Sequence, residues 1–365
     1  MKTTVAFRKG VENTPLYQAG LPIDLVAREY GLDPASIVKL ASNENPLGPS
    51  PAAMAAVRDA VKELHRYPDG GAWELTQRLA REYALDAAQF VIGNGSNEIL
   101  ELLAQAFLEP GTNAVMGEFP FVVYPLVTRH FGAEVRTVPM PALRHDLGAM
   151  LDAIDEQTRL IFLASPNNPT PHAVNREELL EFIHALPEHV LFCFDAAYGE
   201  YLEQPWNLSE LIRDGRPIVE TRTFSKIYGL AGLRVGYGMA PEWIINLLKR
   251  TRQPFSVNSL ALAGALAALD DEEFVKRSRD VNHQGTEQLK NGLQSLGYEV
   301  ETGSANFILV RVADASGVCG ALLKKGVIVR SMQPFSLDGM IRVSVGSSRE
   351  NDQFLNAISD LARGT

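Results

Sequence analysis

The stretch RLIFLASPNNPT (residues 159–170) is a near-continuous run of apolar residues that ends in a polar turn. Strands covered on both faces of a sheet have this composition, whereas a strand with one wet face alternates apolar and polar residues. The run therefore predicts a buried strand in an α/β sheet. Similar short β-rich runs, each followed by a turn and a helical pattern, recur from about residue 90 to 240, which is typical of a wound sheet.

The pattern predicts a large domain and a smaller one. Buried strands of the large sheet are expected at residues 90–92, 113–116, 134–139, 159–164, 190–195, 218–223 and 234–238. After about residue 254, an Ala/Leu-rich helix and a charged helical stretch (270–296) precede alternating segments at 306–312, 327–332 and 341–346 and a last helix at 350–362. We predict an α/β fold: a large, mostly parallel sheet domain with helices on both faces (41–255) and a smaller α+β C-terminal domain (256–365). Residues 1–40 are expected to form an N-terminal arm, part of the small domain and a contact between subunits.

Composition narrows the classes of partner. The chain has 365 residues, with 34 basic and 44 acidic side chains and a net charge of −10, which opposes broad binding of a phosphate backbone. Two cysteines make no disulfide framework, and the start, MKTTVAFRKG, lacks the apolar core of a signal peptide. The longest uncharged stretch, near 260–269, is too short to span a bilayer. We expect a cytoplasmic protein with no nucleic-acid or membrane partner, and no metal, since no H-E-x-x-H or Cys/His cluster occurs.

Polar residues follow four of the predicted strands, and ligands of open α/β sheets bind at the carboxyl ends of strands. The first group, GNGSN (93–97), opens an amphipathic helix, so free backbone N–H groups and the helix dipole would face an anion there. A plain turn with Ser96 as N-cap explains the motif equally well when it is taken alone. The third glycine of a dinucleotide fingerprint is missing.

The second group is the turn SPNNPT, in which Pro169 keeps Asn168 out of the helical region and leaves its amide free for a ligand; alone it is an ordinary turn. The third is Asp195, at the end of an apolar run, where a carboxylate is costly unless a cation or several donors meet it. It is either a helix N-cap or a partner for a protonated ring nitrogen. Tyr198 would project towards the same place if a helical turn follows.

The fourth group contains Lys226, which follows a buried strand among apolar residues and glycines. Desolvation disfavours an ammonium and lowers its pKa towards the range useful for a Schiff base. An exposed position is the usual one for any single lysine. Here, however, Ser225 and Arg234 provide anion-binding groups on either side of it.

The four groups together suit one ligand with a phosphate, a basic ring nitrogen, a ring hydroxyl and an aldehyde, and pyridoxal 5'-phosphate has all four. The chain resembles the fold-type I aminotransferases, and within them the histidinol-phosphate aminotransferases, over nearly its whole length. The resembling stretches are LASNENPLG (40–48), RYPD (66–69), GNGSN (93–97), NPT (168–170), DAAY (195–198), RTFSK (222–226) and RVSVG (342–346).

The resemblance implies roles for these residues. Lys226 would hold pyridoxal phosphate as an internal aldimine and later act as general base, and Asp195 would keep the pyridine nitrogen protonated. Asn168 and Tyr198 would bond the ring hydroxyl, Tyr198 being counted with the catalytic residues. The phosphate would be held by the amides of Gly95, Ser96 and Asn97 and by Thr223, Ser225 and Arg234. Phe121 matches the aromatic residue that stacks on the ring, although it could simply be core.

Substrate and partner contacts are implied in the same way. Arg342 resembles the residue that grips the α-carboxylate, and Arg330 resembles a further phosphate or carboxylate contact. Asn45 is placed with the substrate-binding residues through the LASNENPLG match. Tyr67 would reach across a homodimer interface to the neighbouring cofactor's phosphate, and Tyr17 would also cross it.

The resemblance implies transfer of an amino group from histidinol phosphate to 2-oxoglutarate, giving imidazole acetol phosphate and glutamate in histidine biosynthesis, with ping-pong kinetics. Two positions depart from the family's pattern: Pro171 replaces a glycine, and Ala196 replaces a glutamate. Substrate preference is therefore less fixed than the cofactor. The alternatives are an aromatic amino acid (phenylalanine or tyrosine) aminotransferase and a pyridoxal-phosphate-dependent phospho-amino-acid decarboxylase. A third, a cofactor-binding protein that no longer catalyses, would need a defective site, and Lys226 and Asp195 are both present.

Overall fold

The computed structural model describes residues 5, 8–12, 14–16 and 20–363, which form thirteen strands and fourteen α-helices. The strands are β1 (Val38–Lys39), β2 (Phe90–Gly93), β3 (Asn113–Gly117), β4 (Glu134–Val138), β5 (Thr158–Ala164), β6 (Leu191–Asp195), β7 (Ile218–Thr223), β8 (Gly236–Met239), β9 (Val300–Glu301), β10 (Phe307–Arg311), β11 (Val327–Ile328), β12 (Arg330–Ser331) and β13 (Met340–Ser344). The helices are α1 (Lys9–Glu12), α2 (Ile23–Tyr30), α3 (Pro51–Ala60), α4 (Trp73–Tyr83), α5 (Ser96–Phe107), α6 (Val123–His130), α7 (Leu147–Asp152), α8 (Arg176–Ala185), α9 (Ser209–Arg213), α10 (Glu242–Thr251), α11 (Ser259–Leu269), α12 (Glu272–Ser295), α13 (Ala315–Lys324) and α14 (Ser348–Arg363).

Seven strands form the large sheet, in the order β2-β8-β7-β6-β5-β3-β4. All neighbours are parallel except β8, which runs antiparallel to both β2 and β7. Its reversal brings the start of β8 to the edge where β2 and β7 end. Each predicted strand of this sheet is present, with ends that differ by at most two residues.

Apart from its edge strand β4, the large sheet is buried on both faces, as its apolar runs predicted. On β5, Ile161 and Leu163 belong to one apolar cluster, while Leu160 and Phe162 belong to the cluster on the opposite face. Because successive side chains on a strand point to opposite faces, burial of both sets requires helices on both sides. Helix α5, for example, packs Ile99 and its apolar neighbours into the second cluster.

A four-stranded antiparallel sheet, in the order β12-β13-β10-β9, forms a second layer near the C-terminus. The prediction of one strand at 327–332 was wrong, because the segment divides: β11 pairs in parallel with β1, and β12 pairs with β13. Helix α14 covers this layer and inserts Phe354 and Ile358 into its core. The domain boundaries at residues 40 and 255 stay predictions, and α11, which follows the second boundary, packs against α3 and the core of the large sheet.

In the sequence, the long helix α12 follows the strands of the large sheet and precedes those of the four-stranded sheet. Its N-cap is Asp271, whose carboxylate accepts a hydrogen bond from the backbone N–H of Phe274. Leu289 and Leu293 pack into the core of the small sheet, whereas Ser278 hydrogen-bonds Asn45 beside the turn that carries Lys226. No helix among the described residues is long and apolar enough to cross a membrane.

Candidate active site

A cavity of about 1010 Å³, counted with its open mouth, lies at the carboxyl ends of the large sheet's strands and is closed on the other side by β13 and Phe335. The predicted site residues that line it are Ser96, Asn97, Phe121, Asn168, Asp195, Tyr198, Thr223, Ser225, Lys226, Arg234, Arg330 and Arg342. Residues more than 200 positions apart in the chain therefore face one space, as expected where parallel strands end together.

Asp195 ends β6 and is almost completely buried. Tyr124 donates a hydrogen bond from its hydroxyl to Oδ2 at 2.8 Å, and the backbone N–H of Ala197 donates to Oδ1 at 3.1 Å. Burial raises the pKa of the Asp195 carboxyl, and these donors, together with the charge of Lys226, oppose that rise. The carboxylate is thus held in place and can meet a cationic group in the cavity.

Lys226 follows β7 and is partly buried. Its Nζ lies 3.4 Å from the carbonyl oxygens of Ser42 and Asn43, and 5.6 Å from the centre of the Tyr198 ring. The amine is held by neutral carbonyls, and no described carboxylate forms an ion pair with it. It can therefore react with a carbonyl group or exchange a proton without first breaking an ion pair.

The anion-binding end of the cavity is built around the start of α5, whose first residue, Ser96, follows Gly95 as N-cap. A Cβ at Gly95 would lie 2.6 Å from Nη2 of Arg234, and Gly95 has φ of +77°, so a side chain is excluded there for two reasons. Arg234 donates from Nη1 to Oγ of Ser225 at 3.2 Å. The helix N-terminus and the guanidinium together form a site for a phosphate. Thr223 accepts a hydrogen bond from the Ser225 N–H at 3.1 Å, which shapes the turn.

The opposite end carries Arg342, on β13, and Arg330, on β12. Arg342 is buried, donates from Nη1 to Oδ1 of Asn168 and from Nη2 to the carbonyl of Ala41 at 3.0 Å, and lies 5.2 Å from the centre of the Phe307 ring. Arg330 lies over the ring of Phe335 at 5.3 Å. Two guanidinium groups at one rim favour a substrate with carboxylate or phosphate groups.

Three of the predicted site residues that the structure describes do not line the cavity. Gly95 lies just behind it, and Asn45 donates from its buried amide to the Ile227 carbonyl at 2.7 Å and to Ser278 Oγ at 2.9 Å, so the structure places it in the support of the Lys226 turn rather than among substrate contacts. Tyr67 is 84% exposed and stacks on Phe255 at 4.9 Å. Tyr17 lies outside the described residues.

Sequence reasoning missed two residues of the site. Asn43 lines the cavity and hydrogen-bonds Tyr198, and Tyr124 contacts Asp195 from α6. Both stand in stretches that had been singled out, two residues before Asn45 and three after Phe121. Their side chains, however, reach partners 71 to 301 positions away, which spacing in one sequence does not reveal.

The donor set fits pyridoxal phosphate. A helix N-terminus with Arg234 suits a phosphate, buried Asp195 suits a protonated ring nitrogen, and the Lys226 amine suits an aldehyde. Within the described part of the chain, no group of three His, Cys, Asp or Glu side chains is arranged to hold a metal ion. The absence of a metal stays a prediction.

Comparisons with known proteins agree with this geometry. Residues 35–358 match the family model for aminotransferase class I and II. Among curated relatives, histidinol-phosphate aminotransferase 2 of Pseudomonas aeruginosa is 50% identical over 353 residues, which cover 96% of this chain and 95% of that protein. The protein of the same name from Pseudomonas fluorescens is 49% identical, with 97% of each chain covered.

Solved structures share the fold over the whole length. The crystal structure of histidinol-phosphate aminotransferase from Sinorhizobium meliloti in complex with pyridoxal-5'-phosphate superposes with a TM-score of 0.90 at 25% identity, covering 100% of this chain and 99% of that one. Aspartate aminotransferase from Thermus thermophilus with maleate gives a TM-score of 0.84 at 22% identity, covering 99% of this chain and 100% of that one, and shows the fold alone.

Proposed function

Since this chain belongs to the aminotransferase class I and II family, we propose that it uses pyridoxal phosphate to transfer an amino group from histidinol phosphate to 2-oxoglutarate. The observation that carries the proposal is that Lys226, Asp195 and Arg342 face one cavity in a chain about half identical to relatives named for histidinol phosphate. The products would be imidazole acetol phosphate and glutamate, a step of histidine biosynthesis.

Each residue has a task that follows from its position. When bound, the cofactor supplies an electron sink for the carbanion left when the substrate Cα loses its proton. Asp195, buried and held by Tyr124, keeps a proton on the ring nitrogen, and Lys226 accepts the Cα proton and returns one as general acid. Arg342 orients the group that carries the amine by binding an anion, and the start of α5 with Arg234 anchors the phosphate.

The substrate assignment is supported by the basic rim and by the position of the two departures from the family's pattern. Arg330 and Arg342 can bind a carboxylate in one half-reaction and a phosphate in the other. Pro171 and Ala196 do not line the cavity: Ala196 packs in the core of the large sheet, and the Pro171 carbonyl accepts a hydrogen bond from the N–H of Ser304 at 3.0 Å. The side chains present at these two positions therefore make no contact with a ligand in the cavity.

A homodimer and a cytoplasmic location belong to the same proposal. Tyr67 and Phe255 form a stacked pair that is largely exposed, and such a pair suits burial against a second copy. In such a dimer, Tyr67 would contact the phosphate of the cofactor bound to the partner subunit. The substrates are small, charged metabolites.

The deciding experiment is a set of half-reactions with the enzyme loaded with pyridoxal phosphate. Histidinol phosphate, phenylalanine, tyrosine and aspartate are each mixed with it, and conversion of the cofactor to its amine form is followed by absorbance. We expect histidinol phosphate to react with the highest kcat/KM. Preference for phenylalanine or tyrosine would identify the aromatic aminotransferase, and carbon dioxide release without an oxo acid would identify a decarboxylase.

A second experiment tests the role of Lys226. Lys226→Ala should lose the visible band of the covalently bound cofactor and the half-reaction, while the thermal unfolding midpoint stays near that of the apo wild type. An unchanged spectrum in this variant would refute the assignment.

A further inference from the structure

A series of hydrogen bonds links Tyr198, at the wall of the cavity, to Ser344 on β13 through Asn43. Asn43 Nδ2 lies 2.9 Å from the Tyr198 hydroxyl, and Ser344 Oγ lies 2.9 Å from Asn43 Oδ1 and 2.8 Å from the Asn43 backbone nitrogen. All three side chains are at least 97% buried. Buried polar groups cannot exchange these partners for water, so the orientation of each group matters.

The direction of each bond follows from what each atom can do. The Asn43 backbone N–H can only donate, so Ser344 Oγ accepts from it and spends its own hydrogen on Asn43 Oδ1. The amide oxygen therefore faces Ser344, and the NH₂ group faces Tyr198. An NH₂ group has no lone pair to offer, so the Tyr198 hydroxyl accepts this bond and its own hydrogen remains available for a group in the cavity.

The opposite orientation of the amide would have the opposite effect. Asn43 Oδ1 would then accept the hydrogen of Tyr198 and remove it from the cavity, and Ser344 would face two donors with no described acceptor for its own hydrogen. The hydroxyl of Ser344 thus selects the orientation that leaves Tyr198 a donor towards the cavity.

We infer that Asn43, oriented by Ser344, is a positioning residue that makes the Tyr198 hydroxyl a hydrogen-bond donor towards the ring hydroxyl of the bound cofactor. This inference rests on the proposed function, since it needs pyridoxal phosphate in the cavity. A donor at that oxygen favours its anionic form and so lowers the pH at which the bound cofactor loses the proton nearest the ring hydroxyl.

The same contacts connect the donor to the substrate end of the cavity. Ser344 stands two residues after Arg342 on β13, its backbone N–H donates to the Leu40 carbonyl at 2.8 Å, and Arg342 holds the Ala41 carbonyl. The segment that carries Asn43 is therefore tied to the strand that carries the substrate-binding arginine.

The test uses Asn43→Asp, which has the same shape but cannot donate. Asn43 has φ of +54°, a conformation that aspartate tolerates about as well as asparagine, so the backbone is not strained. The visible absorbance of the enzyme loaded with pyridoxal phosphate is titrated from about pH 5 to pH 10. We expect the midpoint of the spectral change to rise by about one pH unit, the effect of losing one hydrogen bond to an anion.

The charge of the new carboxylate could raise the midpoint by itself, so the substitution is repeated in the Tyr198→Phe background. If Asn43 acts through Tyr198, Asn43→Asp raises the midpoint less in the Tyr198→Phe background than in the wild type, because only the effect of the charge remains. An equal further rise in the double variant, or no rise in Asn43→Asp, overturns the inference. Thermal unfolding of each variant shows whether packing has changed.

Ser344→Ala provides a test that adds no charge and does not touch the Tyr198 contact. The midpoint should rise in the same direction, and Ser344→Thr, which keeps the hydroxyl, should restore it. If Asn43→Asp does not fold, this pair decides, and an unchanged midpoint in Ser344→Ala overturns the inference. Absence of a visible band in the wild type would overturn the proposed function as well, whereas a normal wild-type band with unshifted variants overturns this inference alone.

Discussion

Removal of the Tyr124 hydroxyl should raise the pKa of the Asp195 carboxyl and narrow the pH range of the enzyme. Tyr124 donates a hydrogen bond to this carboxylate at 2.8 Å, beside the one that the Ala197 amide donates at 3.1 Å. A hydrogen bond to a charged group contributes about 1.5–3 kcal/mol, which corresponds to about one to two pKa units. Tyr124→Phe keeps the ring that stacks on Phe162 at 4.8 Å, so packing is preserved.

The sign follows from which form the bond favours. Tyr124 stabilises the ionised carboxylate and lowers the pKa that burial has raised, so its loss lets the pKa rise further. In the proposed function, the ionised form of Asp195 is the one that keeps the ring nitrogen protonated. The acid limb of kcat/KM in the histidinol phosphate half-reaction should therefore move up by about one to two pH units, while the alkaline limb stays in place.

The matched control is Tyr83→Phe. Tyr83 is also buried and its hydroxyl bonds that of Tyr237 at 2.7 Å, but it lies outside the cavity. Tyr83→Phe should leave the acid limb unmoved. An acid limb that is the same in Tyr124→Phe and wild type would refute the view that Tyr124 tunes Asp195.

Three further substitutions test other parts of the structure. Arg342→Ala should weaken capture of the amino donor by roughly 2–4 kcal/mol, measured as kcat/KM, and equal turnover would mean that another arginine holds the substrate. Gly95→Ala should raise the dissociation constant of pyridoxal phosphate at least about tenfold, because its Cβ would meet the Arg234 guanidinium; an unchanged titration would place the phosphate elsewhere. Arg222→Met leaves the carboxylate of fully buried Glu220 without its 2.6 Å partner and should lower the free energy of unfolding by about 3–5 kcal/mol in urea denaturation, a loss that an unchanged midpoint would contradict.

The strands of the large sheet could be predicted because each is a short apolar run between turn residues, and that pattern depends only on local sequence. The pairing of β1 with β11 could not, because two-residue strands have no periodicity and their partners lie 289 positions apart, from Val38 to Val327. The division of 327–332 between two sheets was missed for the same reason. The bounds of β1, β11 and β12 are set by pairing with strands that are distant in the sequence.

The residues of the candidate site also differ in whether the sequence alone could identify them. Lys226 and Asp195 could be identified because a charged residue after a buried apolar strand is costly and so needs a reason, and Arg234 because it flanks Lys226 with an anion-binding group. Asn43 carries no such signal, since an asparagine in a turn is ordinary, and its importance arises only from partners on other elements. The resemblance to the family placed Asn45 among the substrate-binding residues. In the structure, its hydrogen bond to the Ile227 carbonyl supports the turn after Lys226 instead.

The reversed strand β8 sets a limit on how this protein can be altered. Arg234 reaches the start of α5 only because the chain turns back within the residues between Lys226 and β8, and that turn is pressed against the opposite segment, where a Cβ at Gly229 would lie 2.1 Å from the Gly48 carbonyl. A residue inserted into this turn, or new termini made in it by circular permutation, would leave the strands of the sheet paired. Either change would move Arg234 away from the anion-binding end of the cavity. Loop grafting and permutation should therefore avoid residues 227–233 and use exposed turns far from the strand ends.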